Sequence, residues 1–275
     1  MFLGFIDCQS GKGEIDDTVF KFNTSYNFTD DVMFYLTYSE GFRRGGINIG
    51  SRLLPDEKTF DSDTATNYEL GWHTTLADGR VIFNGAVFRI DWDDLQVPGK
   101  SAIDAQNIIQ NANKGQIDGV ELSTQAALGD NLTLSGWISW YDATLKGDAP
   151  EINGFDGDKF PGIPELQANI GLDYVLPLAS GDLIFRGNAY YKDEVQNRLN
   201  DIPPNDDFEL YDDYWLLNAS AEYAWDNWRT VLYAENLLNE YYYTGGRGAG
   251  RYGVQGQFQY TGRPRILGIE VNYDF

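Results

Sequence analysis

Cysteine and histidine occur once each, as Cys8 and His73. No disulfide can close within the chain, and no Cys/His zinc site of the usual kind can be assembled from it. Basic residues are scarce as well: 20 Lys and Arg stand against 42 Asp and Glu, for a formal net charge of −22. Phosphate backbones are held by clustered bases, so no nucleic-acid partner is expected. Long apolar runs are missing too. No stretch approaches the roughly 18 consecutive apolar residues of a membrane-crossing helix. The short run MFLGFI near Met1 has neither a basic segment before it nor a small-residue cleavage site after it, so it is not read as a signal peptide. None of this excludes a β-barrel, whose strands show lipid only every second residue and leave the chain polar on average.

Aromatic residues make up 15% of the chain, with 18 Tyr and 30 Gly, a profile of strands and turns. Period two is the dominant pattern. From 19 to 28, Phe20, Phe22, Thr24, Tyr26 and Phe28 alternate with Val19, Lys21, Asn23, Ser25 and Asn27. Residues 166–176 repeat it, with Leu166, Ala168, Ile170, Leu172, Tyr174 and Leu176 against Gln167, Asn169, Gly171 and Asp173. So do 215–225, where Trp215, Leu217, Ala219, Ala221, Tyr223 and Trp225 share a side.

Eleven such segments are predicted, near 18–28, 32–40, 63–76, 80–92, 115–128, 132–145, 165–176, 183–193, 213–225, 228–237 and 264–275. At about ten residues they exceed the usual 5–6 of soluble strands. Their connections alternate. Tight turns at 29–31, 77–79, 129–131, 178–182 and 226–227 are interleaved with long loops near 41–62, 93–114, 146–164, 194–212 and 238–263. Short turns on one side and long loops on the other are what an outer-membrane barrel presents to the periplasm and to the exterior. Phe20, Phe22, Leu166, Ile170, Leu172, Leu217, Ala219, Ile269 and Val271 are therefore expected to face lipid. Lys21, Asn23, Asn169, Asp173, Asn218, Glu222, Glu270 and Asn272 are expected to face the lumen. Phe28, Trp72, Trp92, Trp140, Trp225, Trp228 and Phe275 fall near strand ends, where an interfacial girdle would place them. Asp91, Asp93 and Asp94, like Asp56, Asp61 and Asp63, lack calcium-loop spacing and read as loop acids. No catalytic residue, metal site or cofactor is indicated.

Several stretches resemble the barrel of TonB-dependent receptors: TDDVMFYLTYSEGFRRGG, NYELGW at 67–72, GRVIFNGAVFRIDWDDLQ at 79–96, GVEL at 119–122, AENLLNEYY at 234–242 and the ending PRILGIEVNYDF. They follow the family's order along nearly the whole chain. The resemblance implies an all-β transmembrane antiparallel barrel, with residues 1–275 supplying about eleven C-terminal strands of the family's 22. The plug domain and N-terminal strands would be absent, and Met1 would mark a truncated frame or an excised piece.

It also implies energy-coupled import of a scarce nutrient, most often a ferric siderophore, with no enzymatic activity. The partners it brings are that ligand, the TonB complex acting through the missing plug, the lipid bilayer and the outer-membrane assembly machinery. Leu267, Ile269, Val271, Tyr273 and Phe275 resemble the terminal signal that this machinery reads. Arg43 and Arg44 after the second strand, and Tyr241, Tyr242, Tyr243, Arg247, Arg251 and Tyr252 in the last long loop, are the candidate ligand contacts, being suited to anionic, hydrogen-bonding chelates. Competing readings are a passive porin-like barrel and a soluble glycan-binding β-sandwich.

Overall fold

A computed structural model describes residues 18–50, 52–103, 106–150, 154–197, 199, 210–247 and 258–275. Eleven of its strands form one sheet: β1 (Lys21–Thr29), β2 (Val32–Arg43), β5 (Asp63–Leu76), β6 (Val81–Asp93), β9 (Lys114–Ala127), β10 (Leu132–Lys146), β11 (Leu166–Leu178), β12 (Gly181–Lys192), β15 (Tyr214–Trp225), β16 (Trp228–Glu235) and β19 (Ile266–Tyr273). Spatial order follows chain order and every neighbouring pair is antiparallel. The sheet is open, with β1 and β19 as its edges. All eleven predicted segments are strands, with ends displaced by at most three residues. A soluble sandwich needs a second large sheet packed face to face. Among the described residues the other sheets have two strands each.

Those small sheets lie inside the long connections, which the sequence pattern left as loops. They are β3 (Gly46–Ile47) with β4 (Thr59–Phe60), β7 (Gln96–Lys100) with β8 (Asn107–Asn111), β13 (Val195–Gln196) with β14 (Leu210–Tyr211), and β17 (Tyr243–Arg247) with β18 (Phe258–Thr261). A 3-10 turn, Pro55–Glu57, is the helical element among the described residues. No helix there is long and apolar enough to cross a membrane. The tight connections use the left-handed backbone where a two-strand reversal requires it: Asp226 has φ 44° between Trp225 and Trp228, and Gly129 has φ 84°.

Directly opposed residues share a face of a sheet, so the register carries one face from edge to edge. From Phe22 it passes to Tyr38 and Tyr68, from Leu70 through Val87, Val120 and Trp140 to Leu166, from Ile170 through Ala189 to Leu217, and from Ala219 through Ala234 to Leu267, with Ile269 and Val271 on the same side of β19. The nine residues expected to face lipid fall here, Phe20 by its parity just ahead of β1. The opposite face carries Lys21, Asn23, Asn169, Asp173, Asn218, Glu222, Glu270 and Asn272.

On the apolar face no charged residue interrupts β10 from Leu132 to Trp140, nine residues, the length a tilted strand needs to cross a bilayer. Charges begin one step further toward the loops, where Arg89 pairs with Asp118 across β6 and β9 at 2.7 Å and Lys114 with Asp93 at 2.7 Å. At the opposite end Tyr223, Trp225, Trp228, Tyr273 and Phe275 form one connected row of rings, with centroids 4.7–6.3 Å apart.

Trp92 departs from the girdle expectation. Its register partners, Ala65 and Gly115, lie on the polar face. There Trp92 packs against the one apolar cluster recorded among the described residues, built from Leu95, Ala112, Ala143, Leu145, Ala149 and Phe160. Leu145 is 0% exposed. The strands extend past the charge-free band, and there Trp92, Ala143 and Leu145 pack under Leu95, Ala112, Ala149 and Phe160 of the adjoining connections.

Candidate functional site

The loop ends of the strands form a mouth, and its two sides are built differently. On the β2–β9 side the connections are tied by side-chain amides and carboxylates that reach backbone groups. Asp63, 1% exposed, accepts hydrogen bonds from the Arg43 backbone and guanidinium and from the Gln96 backbone N–H at 3.0 Å. The Arg43 guanidinium donates as well to the Gln96 carbonyl at 3.1 Å and lies 4.8 Å from the Trp92 ring centroid. The Gln96 side chain donates to the carbonyls of Arg44 and Asp61 at 3.0 and 2.9 Å.

Further out, Asn48 donates to the carbonyls of Glu57 and Ile109 and accepts from the Ile109 N–H, joining the β3–β4 and β7–β8 hairpins. Asn111 spans Asp61 and Asp94 in the same way. Glu57 accepts from the backbone N–H groups of Ala102 and Leu54 and from the Ser101 hydroxyl. The Ala102 and Leu54 amides hold its carboxyl below the usual carboxylate range. Two loops that are separate in sequence are thus one clasp.

On the β10–β19 side, rings replace the clasp. Centroids step from Trp137 to Tyr190 at 6.1 Å, to Tyr214 at 6.2 Å and to Tyr242 at 4.4 Å. Tyr211, Tyr243 and Tyr241 form a second group, with centroids 6.3 and 5.4 Å apart. Gly262 seats the first group: a Cβ there would overlap the Tyr242 ring, so the bare backbone is what lets the ring lie flat against it.

Asn236, 4% exposed with φ 48°, holds the base of the last loop. Its N–H donates to the Asn218 side chain, its amide donates to the carbonyls of Glu240 and Arg263, and its oxygen accepts from the Glu240 N–H. Asn239, also left-handed at φ 56°, accepts from the Arg265 N–H. This accounts physically for AENLLNE: both asparagines take the conformation asparagine tolerates best after glycine, and both side chains clamp the returning chain.

Between the two sides the polar face holds a cavity of about 280 Å³ lined by residues including Tyr35, His73, Asn84, Glu121, Ser139 and Trp137. Tyr35 stacks on His73 at 5.5 Å, and Glu121 accepts from the Tyr141 hydroxyl at 2.6 Å. Among the described residues neither Glu121 nor Glu69, on the same face of β5, has a Lys or Arg within ion-pair distance. No group of three or more acids, His or Cys arranged to hold a metal occurs among the described residues.

The structure does not bring the sequence candidates together. Arg43 ends β2 and Arg44 follows it, while Tyr241 and Tyr242 lead into β17, which Tyr243 opens beside β14; β2 and β15 are seven strand pairings apart, roughly 33 Å along the curved sheet. Arg43 is engaged by Asp63, whereas the exposed Arg44 side chain has no ion-pair partner among the described residues. Arg247 ends β17, and Arg251 and Tyr252 lie outside the described residues. Sequence reasoning missed Asp63, Gln96, Asn48 and Asn236 as builders of the mouth, and Tyr190, Lys192 and Tyr214 as lumen residues near it. For the last three the signal was available, since each sits at the parity of the polar face.

Comparison with known proteins agrees with this architecture. Residues 6–237 match the family described as TonB dependent receptor-like, beta-barrel. A ferric-pyoverdine receptor of Pseudomonas putida is 26% identical over 261 residues, 91% of this chain and 28% of that protein. A pesticin receptor of Yersinia pestis is 25% identical over 274 residues, 96% of this chain and 37% of that protein. The crystal structure of the ferric yersiniabactin uptake receptor of Yersinia pestis aligns with a TM-score of 0.73 at 22% identity, covering 93% of this chain and 37% of that one. The chain therefore spans about a third of the length of these proteins. Sheet, register and sequence match lead to one statement: the chain belongs to the family of TonB-dependent receptor-like β-barrels.

Proposed function

We propose that this chain is the C-terminal half of the barrel of an outer-membrane receptor that imports a ferric siderophore by energy coupling. The observation that carries the reading is a sheet whose apolar face is free of charge along β10 over a bilayer's depth, whose loop end is elaborately built, and whose sequence aligns with a ferric-pyoverdine receptor over 91% of its length. Strand parity supports the half-barrel reading. In an eleven-stranded antiparallel sheet the two edge strands run the same way, so pairing β19 with β1 would make a parallel contact. Antiparallel closure needs an odd number of further strands, and eleven N-terminal strands satisfy it. Open edges in lipid would leave a row of unsatisfied backbone groups, which a bilayer does not tolerate.

Coupling to the TonB complex then runs through a plug belonging to the longer protein. Glu69 and Glu121, without a Lys or Arg partner among the described residues, suit basic groups on such a plug. The apolar row Leu267, Ile269, Val271 and Tyr273, with Phe275, serves as the signal for outer-membrane assembly, and β19 as an edge offers it in extended form. Arg44 and Tyr241–Tyr243 remain the proposed outer contacts for ligand.

Uptake of radioiron by iron-starved cells tests this reading. Cells carrying the full-length protein should accumulate a ferric siderophore that cells lacking it do not, and collapsing the proton gradient should abolish the difference. Uptake that persists without the gradient would instead mark a passive pore.

A further inference from the structure

Resting on the receptor reading, we infer that the lumen wall of β10, β11, β12 and β15 carries a subsite for an anionic, aryl-bearing ferric chelate, of the phenolate or catecholate kind, with Lys192 as its charge and Trp137 and Tyr190 as its ring platform. The register builds it as two adjacent rows on the polar face. One row reads Ser139, Gln167, Lys192, Tyr214, and the next reads Trp137, Asn169, Tyr190, Leu216. Neighbours within such rows stand about 4.5–5.5 Å apart at Cβ. Lys192 is therefore set between an amide and a phenol, with Tyr190 two residues before it on the same face of β12.

On this part of the wall, charge singles it out. The other bases facing the lumen on β12 and β16 are matched: Arg186 to Glu222 at 2.6 Å and Asp173 at 3.4 Å, and Arg229 to Glu222 at 3.9 Å. Lys192 is half-buried and has no acidic partner among the described residues, in a chain with 42 acids to 20 bases. A partly desolvated ammonium without a counter-ion favours an anion that arrives with the ligand.

Rings supply the second element. Trp137 is 40% exposed on the lumen face, and its ring leads through Tyr190 and Tyr214 to Tyr242 at the mouth. At the foot of this series Trp137 borders two hollows of about 280 Å³ each, whose other walls include Ser123, Ser135, Ser139, Asn84 and Asn169. Flat rings stack on Trp137, the ligand's oxygens take hydrogen bonds from the hydroxyls and amides, and Lys192 balances the net negative charge. An aliphatic hydroxamate chelate, uncharged and without rings, uses neither feature.

The test is binding to purified, folded full-length receptor, followed by tryptophan quenching, with two probes: an iron(III) tris-catecholate complex and an uncharged iron(III) trihydroxamate complex. Wild-type receptor should prefer the catecholate, and its affinity should fall with added salt. Lys192→Gln should weaken the catecholate about tenfold and flatten the salt dependence, Lys192→Arg should restore most of both, and Trp137→Leu should weaken it by a similar factor. The trihydroxamate should be indifferent to all three. Preference for the trihydroxamate, or salt-independent catecholate binding by the wild type, would overturn the subsite while leaving the receptor reading intact. Failure of both probes and of any native ferric siderophore to bind would overturn the receptor reading with it.

Discussion

The two sides of the mouth use similar chemistry for opposite ends. On the β2–β9 side, Asp63 holds Arg43, Gln96 and Asn48 hold backbone carbonyls, and the polar side chains are consumed in making two loops one body. On the β10–β19 side, Lys192 has no counter-ion among the described residues, Trp137 is open to the lumen, and Tyr241 stands exposed. The difference separates scaffold from surface. A buried carboxylate with three kinds of donor is a fixed part of the fold, and an arginine bound to it has little left to offer a ligand. An uncompensated base beside rings has most of its interaction energy still to be used.

The comparison is sharpest in the apolar cluster that Leu95 and Ala112 of the clasped connection share with Ala143 and Leu145 of β10. Leu145→Ala removes a fully buried side chain and should destabilise the folded full-length receptor by about 2–5 kcal/mol. Tyr241→Ala, on the open side, should lie within about 0.5 kcal/mol of wild type. Chemical denaturation of refolded receptor in bilayers compares the two, and equal losses would erase the distinction. Asp63→Ala comes next, at roughly 2–3 kcal/mol, because it strips a buried acceptor from Arg43 and Gln96 while Arg43 itself remains half in water. Limited proteolysis should then cut both 44–62 and 94–113, and a cut confined to one of them would show that the loops are not a single clasp.

Asn236→Ala should cost about 1–2 kcal/mol, by losing three side-chain hydrogen bonds and placing alanine at φ 48°, with new proteolysis confined to the connection between β16 and β19. The smallest expected effect is on pH. Glu57 has its carboxyl held below the ordinary value of 4.5, so its tie contributes fully above that value and is lost as pH falls through the lowered one. Protection of 98–103 should therefore hold as pH falls from 7 to 5 and weaken only once pH has dropped below the ordinary carboxylate value of 4.5. A Glu57→Gln receptor should lack this acid transition.

Much of this was legible in the sequence because the membrane enforces a simple rule. Lipid on one face and water on the other make period two hold over whole strands, so the positions of Ile170 and Asn169 follow from parity alone. The rule fails where its cause ends. Trp92, Ile117, Ala143 and Leu145 are apolar on the lumen face because loops fold back over the strands above the bilayer, and nothing in the alternation announces that depth. The hairpins within the loops were hidden for a related reason: short pairs such as β3 with β4 are fixed by Asn48 reaching across to the chain of another loop, a contact 61 residues away in sequence. Arg43 could be located at the mouth, but its occupation by Asp63, 20 residues on, is a fact of three dimensions.

The central claim is that this sheet stands in the outer membrane with its even-numbered β11 side chains in lipid and its odd-numbered ones in a water-filled lumen. Spin labels placed singly at positions 167 to 174 of full-length receptor in bilayers, with Cys8 replaced, measure it through relaxation by oxygen and by a water-soluble nickel chelate. Labels at Ala168, Ile170 and Leu172 should respond to oxygen and those at Gln167, Asn169 and Asp173 to nickel, in strict alternation. Equal nickel accessibility at even and odd positions would contradict the account.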